Sequence, residues 1–61
     1  MNITTRMERL EGVEKAYWTG STQKLTIFYK DIPLNVARIR VAKALADVQL
    51  QDSVKLREFR R

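Results

Sequence analysis

Apolar residues recur along the chain with two different periods, and the changes of period mark its elements. Ile3, Met7 and Leu10 stand at i, i+4 and i+7, one face of a helix, with Arg6, Glu8, Arg9 and Glu11 directed elsewhere. The spacing predicts a helix over residues 4–11. Thr5 and Glu8 have the S/T-x-x-E form of a capping box, with Asn2 or Thr4 as alternative caps that would lengthen the helix by a turn. Gly12 supplies the left-handed residue that ends it. From Val13 to Trp18 the period becomes two, with Ala16 and Trp18 on one face and Lys15 and Tyr17 on the other. The run Thr19-Gly20-Ser21-Thr22-Gln23 contains no apolar residue and reverses the chain into a second strand, Lys24 to Lys30. There Leu25, Ile27 and Tyr29 alternate with Thr26 and Phe28, and an antiparallel hairpin is the simplest pairing.

Asp31-Ile32-Pro33 closes that strand, because proline has no N–H to give to a ladder. A second helix is predicted from Leu34 to Val48, with Asn35 as a candidate cap. At 100° per residue, Leu34, Ala37, Val41, Ala44, Leu45 and Val48 form one stripe, while Arg40, Lys43 and Asp47 face solvent. Val36, Ile39 and Ala46 fall off the stripe, as a second buried edge or an exposed apolar strip. The last element reads as a strand from Ser53 to Phe59, with Val54 and Leu56 inward against Lys55 and Arg57. The fold class is therefore α+β: a single domain over residues 1–61, in the order αββαβ, with two helices packed on one face of a small sheet.

Several of these positions carry a family likeness. Leu10-Glu11-Gly12-Val13 at the end of the first helix, Ala16 after it, Tyr29-Lys30-Asp31 closing the second strand and Ala44-Leu45 late in the second helix resemble a heavy-metal-associated domain. Thr19-Gly20-Ser21 is similar to versions of that domain, at the front of bacterial cation-transporting ATPases, that have lost their metal ligands. The resemblance implies a truncated ferredoxin-like fold, because the family's first strand and its Met-x-Cys-x-x-Cys loop have no counterpart ahead of the first helix. With no cysteine or histidine in the chain, none of the family's soft-metal ligands carries over, and no cofactor or metal is expected. Met7 lies on the helix stripe and is read as core. The missing strand lies mid-sheet in the complete order. Either the last strand closes ranks, pairing in parallel with the second strand through a right-handed crossover, or a partner chain fills the gap. The αββαβ order also resembles the small ring-building domains of secretion systems. Both resemblances imply assembly.

Composition narrows the function further. At 61 residues the chain has room for one thin core, and with no cysteine or histidine it has neither a disulfide nor an ordinary zinc site to reinforce it. Self-association, as a homodimer, or docking on a larger host is the expected support. No apolar run approaches a membrane span, and MNITTRMERLEG lacks the apolar middle of a signal peptide, so a cytoplasmic location is expected. The carboxylates are scattered, Ser21 and Ser53 have no histidine to activate them, and TGSTQK lacks the spacing of a phosphate loop. Catalysis is not expected.

Two classes of function compete. A protein-interaction or regulatory module, associated with a cation-transporting ATPase or another membrane assembly, would use Tyr17, Val36, Ile39 and a free sheet edge. The surplus of 12 Lys and Arg over 7 Asp and Glu, a formal charge of +5, supports the alternative of a small basic nucleic-acid binder. That reading draws on Arg38, Arg40, Lys43, Lys55, Arg57, Arg60 and Arg61, with Tyr17 or Phe28 as stacking surfaces. Trp18 is read as a core anchor.

Overall fold

In a computed structural model of the protein, which describes residues 3–61, the predicted order holds: α1 (Ile3–Glu8), β1 (Val13–Thr19), β2 (Lys24–Tyr29), α2 (Leu34–Asp47) and β3 (Leu56–Arg60). The strands form one mixed sheet in the order β1-β2-β3. β1 and β2 are antiparallel, and β3 lies parallel to β2 with Ile27 opposite Phe59. The last strand thus pairs in parallel with the second, one of the two arrangements expected from the sequence.

Met7, Leu25, Ile27, Val41 and Leu45 are fully buried, joined by Val13, Ala16, Tyr29, Ala37, Ala44 and Val54. One face of the sheet thus meets both helices, which fixes Leu25, Ile27 and Tyr29 inward and Thr26 and Phe28 outward. Ile3, Leu10, Trp18, Leu50 and Phe59 pack on this core half-buried, so Trp18 is a flank of the core and not its centre. The chain exposes 4257 Å², and a compact monomer of its 7.2 kDa exposes roughly 4,100 Å². Folding leaves no unusual expanse of surface uncovered.

Three junctions place the elements. At the first, Gly12 has φ +92, and a Cβ there would come within 2.5 Å of Ile32 Cδ1. Glycine is needed both for the conformation and for the close approach of the loop before α2. The Gly12 carbonyl accepts from the Lys30 N–H at 2.9 Å, which locks the end of the hairpin to the exit of α1. At the second, Gly20–Gln23 make a four-residue hairpin loop between paired Thr19 and Lys24. Gln23 closes it at φ 52, and its carbonyl accepts the N–H groups of Lys55 (2.9 Å) and Leu56 (3.3 Å), seating the start of β3. At the third, α2 ends in a Schellman motif: Leu50 N–H donates to the Leu45 carbonyl, Gln49 N–H to that of Ala46, and Gln49 takes φ 58.

Several sequence expectations are corrected. α1 is shorter than 4–11, and Thr5 sits inside it, where a side chain cannot serve as the N-cap; the alternative cap Asn2 lies outside the described residues. Asn35 is also inside its helix, since α2 is entered through Pro33 in extended geometry. Leu34 is exposed at the first position of α2, because helical periodicity fixes an angle and not whether the sheet extends beneath that turn. Val48 is half-buried at the C-cap. Val54 is buried but precedes the strand, and Leu56 is 56% exposed. The reason is register: Leu56 pairs with Lys24 on the outer face, which turns Arg57 and Phe59 toward the helix side with Leu25 and Ile27.

Candidate functional site

The seven basic residues expected to form one surface separate into a cluster and four individually placed cations. Arg38 on α2 and Lys55 and Arg57 at β3 converge, with Ala42 and Phe59, on a cleft of ≈ 300 Å³ between α2 and the sheet. Among the described residues no carboxylate lines this cleft, and none of the three cations makes an ion pair. The others are differently engaged. Arg40 Nη1 donates to the Glu11 carbonyl at 2.7 Å, tying α2 to the loop after α1. Arg60 pairs with Glu58 at 3.4 Å, and Arg61 lies 5.6 Å from the centre of the Tyr29 ring. Lys43 is exposed and, by helical geometry, about 140° round α2 from Arg38.

The interaction residues do not share a surface either. Tyr17 projects from the sheet face that no helix covers, where its ring meets Phe28 edge to face with centroids 5.7 Å apart. Ile39, 65% exposed, and half-buried Val36 are on α2, in the helical layer. The uncovered face carries Lys15, Tyr17, Thr26, Phe28, Leu56 and the pair Lys24–Glu58. The hydrogen bond from Lys24 holds the Glu58 carboxyl below its ordinary value; partial desolvation opposes this, and the charges of Lys24 and Arg60 reinforce it. A second, larger depression of ≈ 500 Å³ lies between Glu14, Asp31, Lys30 and Arg61, where charges of both signs offset each other.

The two outer strands end the sheet differently. β1 is irregular between Val13 and Lys15, and α1 lies beside it: Glu8 Oε2 accepts the Ala16 N–H at 3.1 Å and approaches Lys15 Nζ at 3.9 Å. β3 pairs only with β2, and its other edge meets no strand among the described residues. An unpaired strand edge presents a row of main-chain donors and acceptors, and here the row runs beside the basic cleft.

Phe59 is the residue that sequence reasoning missed. It packs on the core and meets Tyr29 edge to face, with ring centres 6.5 Å apart. Its signal was present: it is the only large apolar residue in Arg57–Arg61, and an anchor there sets the opposite parity from Leu56. Among the described residues no three carboxylates gather as a metal site, and no helix is long and apolar enough to cross a membrane. No protein-family model, curated protein or solved structure matches the chain.

Proposed function

We propose that the protein is a non-enzymatic interaction module that takes a protein partner, or a second copy of itself, along the open edge of β3. The observation that carries this reading is the asymmetry of the sheet: the β1 edge has a bulge and a side chain bonded to its N–H, whereas among the described residues no strand pairs with the outer edge of β3. Main-chain pairing supplies affinity to an added strand, and side-chain pockets beside it supply selectivity. The likeness to a heavy-metal-associated domain without metal ligands adds a setting: a regulatory or docking role beside a cation-transporting ATPase or another membrane assembly, in the cytoplasm. In the ferredoxin-like order that the likeness implies, β3 would stand in the place beside β2 that the absent strand leaves, and the open position would lie at the sheet's margin.

A second reading, a small basic nucleic-acid binder, is favoured by the unpaired cations of Arg38, Lys55 and Arg57. Against it, the exposed aromatic pair Tyr17–Phe28 is on the other face of the sheet, so bases stacked there would not lead their phosphates into the cleft.

Sedimentation over a range of concentrations, with and without added salt, tests the module. If the occupant is a second copy, association depends on concentration, survives salt and weakens in Leu56→Lys, whose side chain is exposed on the free strand; if it is another protein, the chain stays monomeric and binds an added strand-forming peptide. Ile39→Lys, on α2, separates the helical strip from the strand edge. A monomer at every concentration that also binds no peptide, together with oligonucleotide affinity falling steeply with salt, would put the nucleic-acid reading in its place.

A further inference from the structure

Resting on the interaction reading, the geometry points to a particular partner chemistry: an extended acidic segment that adds to β3 as a fourth strand and places carboxylates in the cleft of Arg38, Lys55 and Arg57. The side chains of a strand alternate between faces. Next to β3, one set would therefore lie on the helix side with Arg57 and Phe59, and the other on the uncovered side with Leu56 and Arg60. On the helix side the neighbours are three cations with no carboxylate among the residues lining the cleft. On the uncovered side the nearest apolar surface is Leu56, 56% exposed. The preferred segment thus alternates acidic and apolar residues, with the acidic set facing α2.

Charge complementarity decides the class of occupant. A second copy of β3, Leu-Arg-Glu-Phe-Arg, would bring Arg57 of each chain toward the same cationic side, so like charges would meet where the cleft already lacks an acid. Single-stranded nucleic acid would satisfy the cations but leave the free main-chain groups of β3 unused. Phe59, the aromatic ring of the cleft, is already engaged with Tyr29 and the core. An acidic strand uses both the cations and the edge.

The test is a titration of the full chain with a fluorescent peptide of about eight residues, an ordinary strand length, alternating glutamate and valine. Three probes accompany it: the same peptide N-methylated at alternate residues, a lysine–valine version, and an oligothymidylate of equal charge. Expected is saturable binding of the acidic peptide, at least about tenfold weaker for the N-methylated and lysine forms, and about tenfold weaker to Arg57→Glu. Tyr17→Ala, on the opposite face, should bind unchanged. Because Arg57 and Lys55 are both exposed, Lys55→Glu serves as a second reversal should Arg57→Glu lose its circular-dichroism spectrum. Equal binding of the N-methylated peptide would overturn strand addition. Tighter binding of the lysine form or of the oligothymidylate would overturn the acidic partner. If the acidic peptide fails but the chain self-associates through β3, this inference falls and the interaction module stands; if neither occurs, both fall.

Discussion

The two edges of this sheet are built from similar material and finished differently. Each outer strand is anchored by a buried valine, Val13 at the start of β1 and Val54 just before β3, and each carries alternating charge. On β1 the irregularity at Glu14–Lys15 twists the ladder, α1 lies alongside, and the Glu8 carboxylate takes the Ala16 N–H. Natural sheets blunt edges with such devices, and an edge without them pairs with other chains. β3 has basic residues beside it and no bulge in its pairing with β2. The difference separates the two margins: one is closed by the chain's own helix, and the other is guarded by charge, which the proposed acidic partner would remove.

The largest expected effect comes from loosening the open margin from the core. Phe59 is the main apolar side chain fixing β3 to Ile27 and Tyr29. Burial of phenylalanine is worth about 3–5 kcal/mol by truncation when complete; half-buried Phe59→Ala should cost about 2–3 kcal/mol. For a 61-residue chain with total stability of about 3–9 kcal/mol, that is a large fraction, read as a lower urea midpoint. Phe59→Leu should recover much of it, because the site asks for apolar volume. If Phe59→Ala left the midpoint unchanged, β3 would be held by its ladder with β2, the Gln23 carbonyl and Val54.

A smaller effect tests the closed margin. Glu8→Ala removes the acceptor of the Ala16 N–H, which should cost about 1 kcal/mol. Its contact with Lys15 is exposed and adds little. The sharper readout is hydrogen exchange: the Ala16 amide should be protected although β1 is an outer strand, and lose that protection in Glu8→Ala. Glu8→Gln, which keeps a carbonyl acceptor, should restore it. Unchanged protection in Glu8→Ala would mean that packing by α1, and not the carboxylate, closes this edge.

How far the sequence discloses these margins depends on whether the period is unbroken. Leu25, Ile27 and Tyr29 alternate without interruption, and Ala37, Val41, Ala44 and Leu45 keep one helical stripe, so β2 and the centre of α2 are legible from spacing alone. At both outer strands parity changes. Val13 and Ala16 are three residues apart and both buried, which a regular strand forbids and the bulge permits. Val54 and Leu56 are two apart and face opposite ways, because the strand begins only after Lys55. The cations of the cleft were legible as charge. Their convergence was not, since Arg38 and Arg57 are brought together by a parallel pairing whose register is set by a residue distant in sequence, at the Gln23 carbonyl.

The smallest effect concerns the ion pair that spans the open margin on the uncovered face. Lys24 on β2 bonds to Glu58 on β3, and this bond is the main reason that the Glu58 carboxyl lies below its ordinary value. A group whose folded pKa is depressed contributes stability that is present above its unfolded pKa and is lost as pH falls through the folded value. For glutamate the unfolded value is about 4.3, so the loss belongs to the acid range below it, and neutral pH is unaffected. Expected is a modest fall in the thermal midpoint on acidification, reduced in Glu58→Gln and by added salt, because the pair is exposed and screened. The same acidification should open the amides of β3 that face β2 before the Ala16 amide, because Lys24 loses its anionic partner when Glu58 is neutral. Acid exchange that opened β1 before β3 would reverse the order of the two margins.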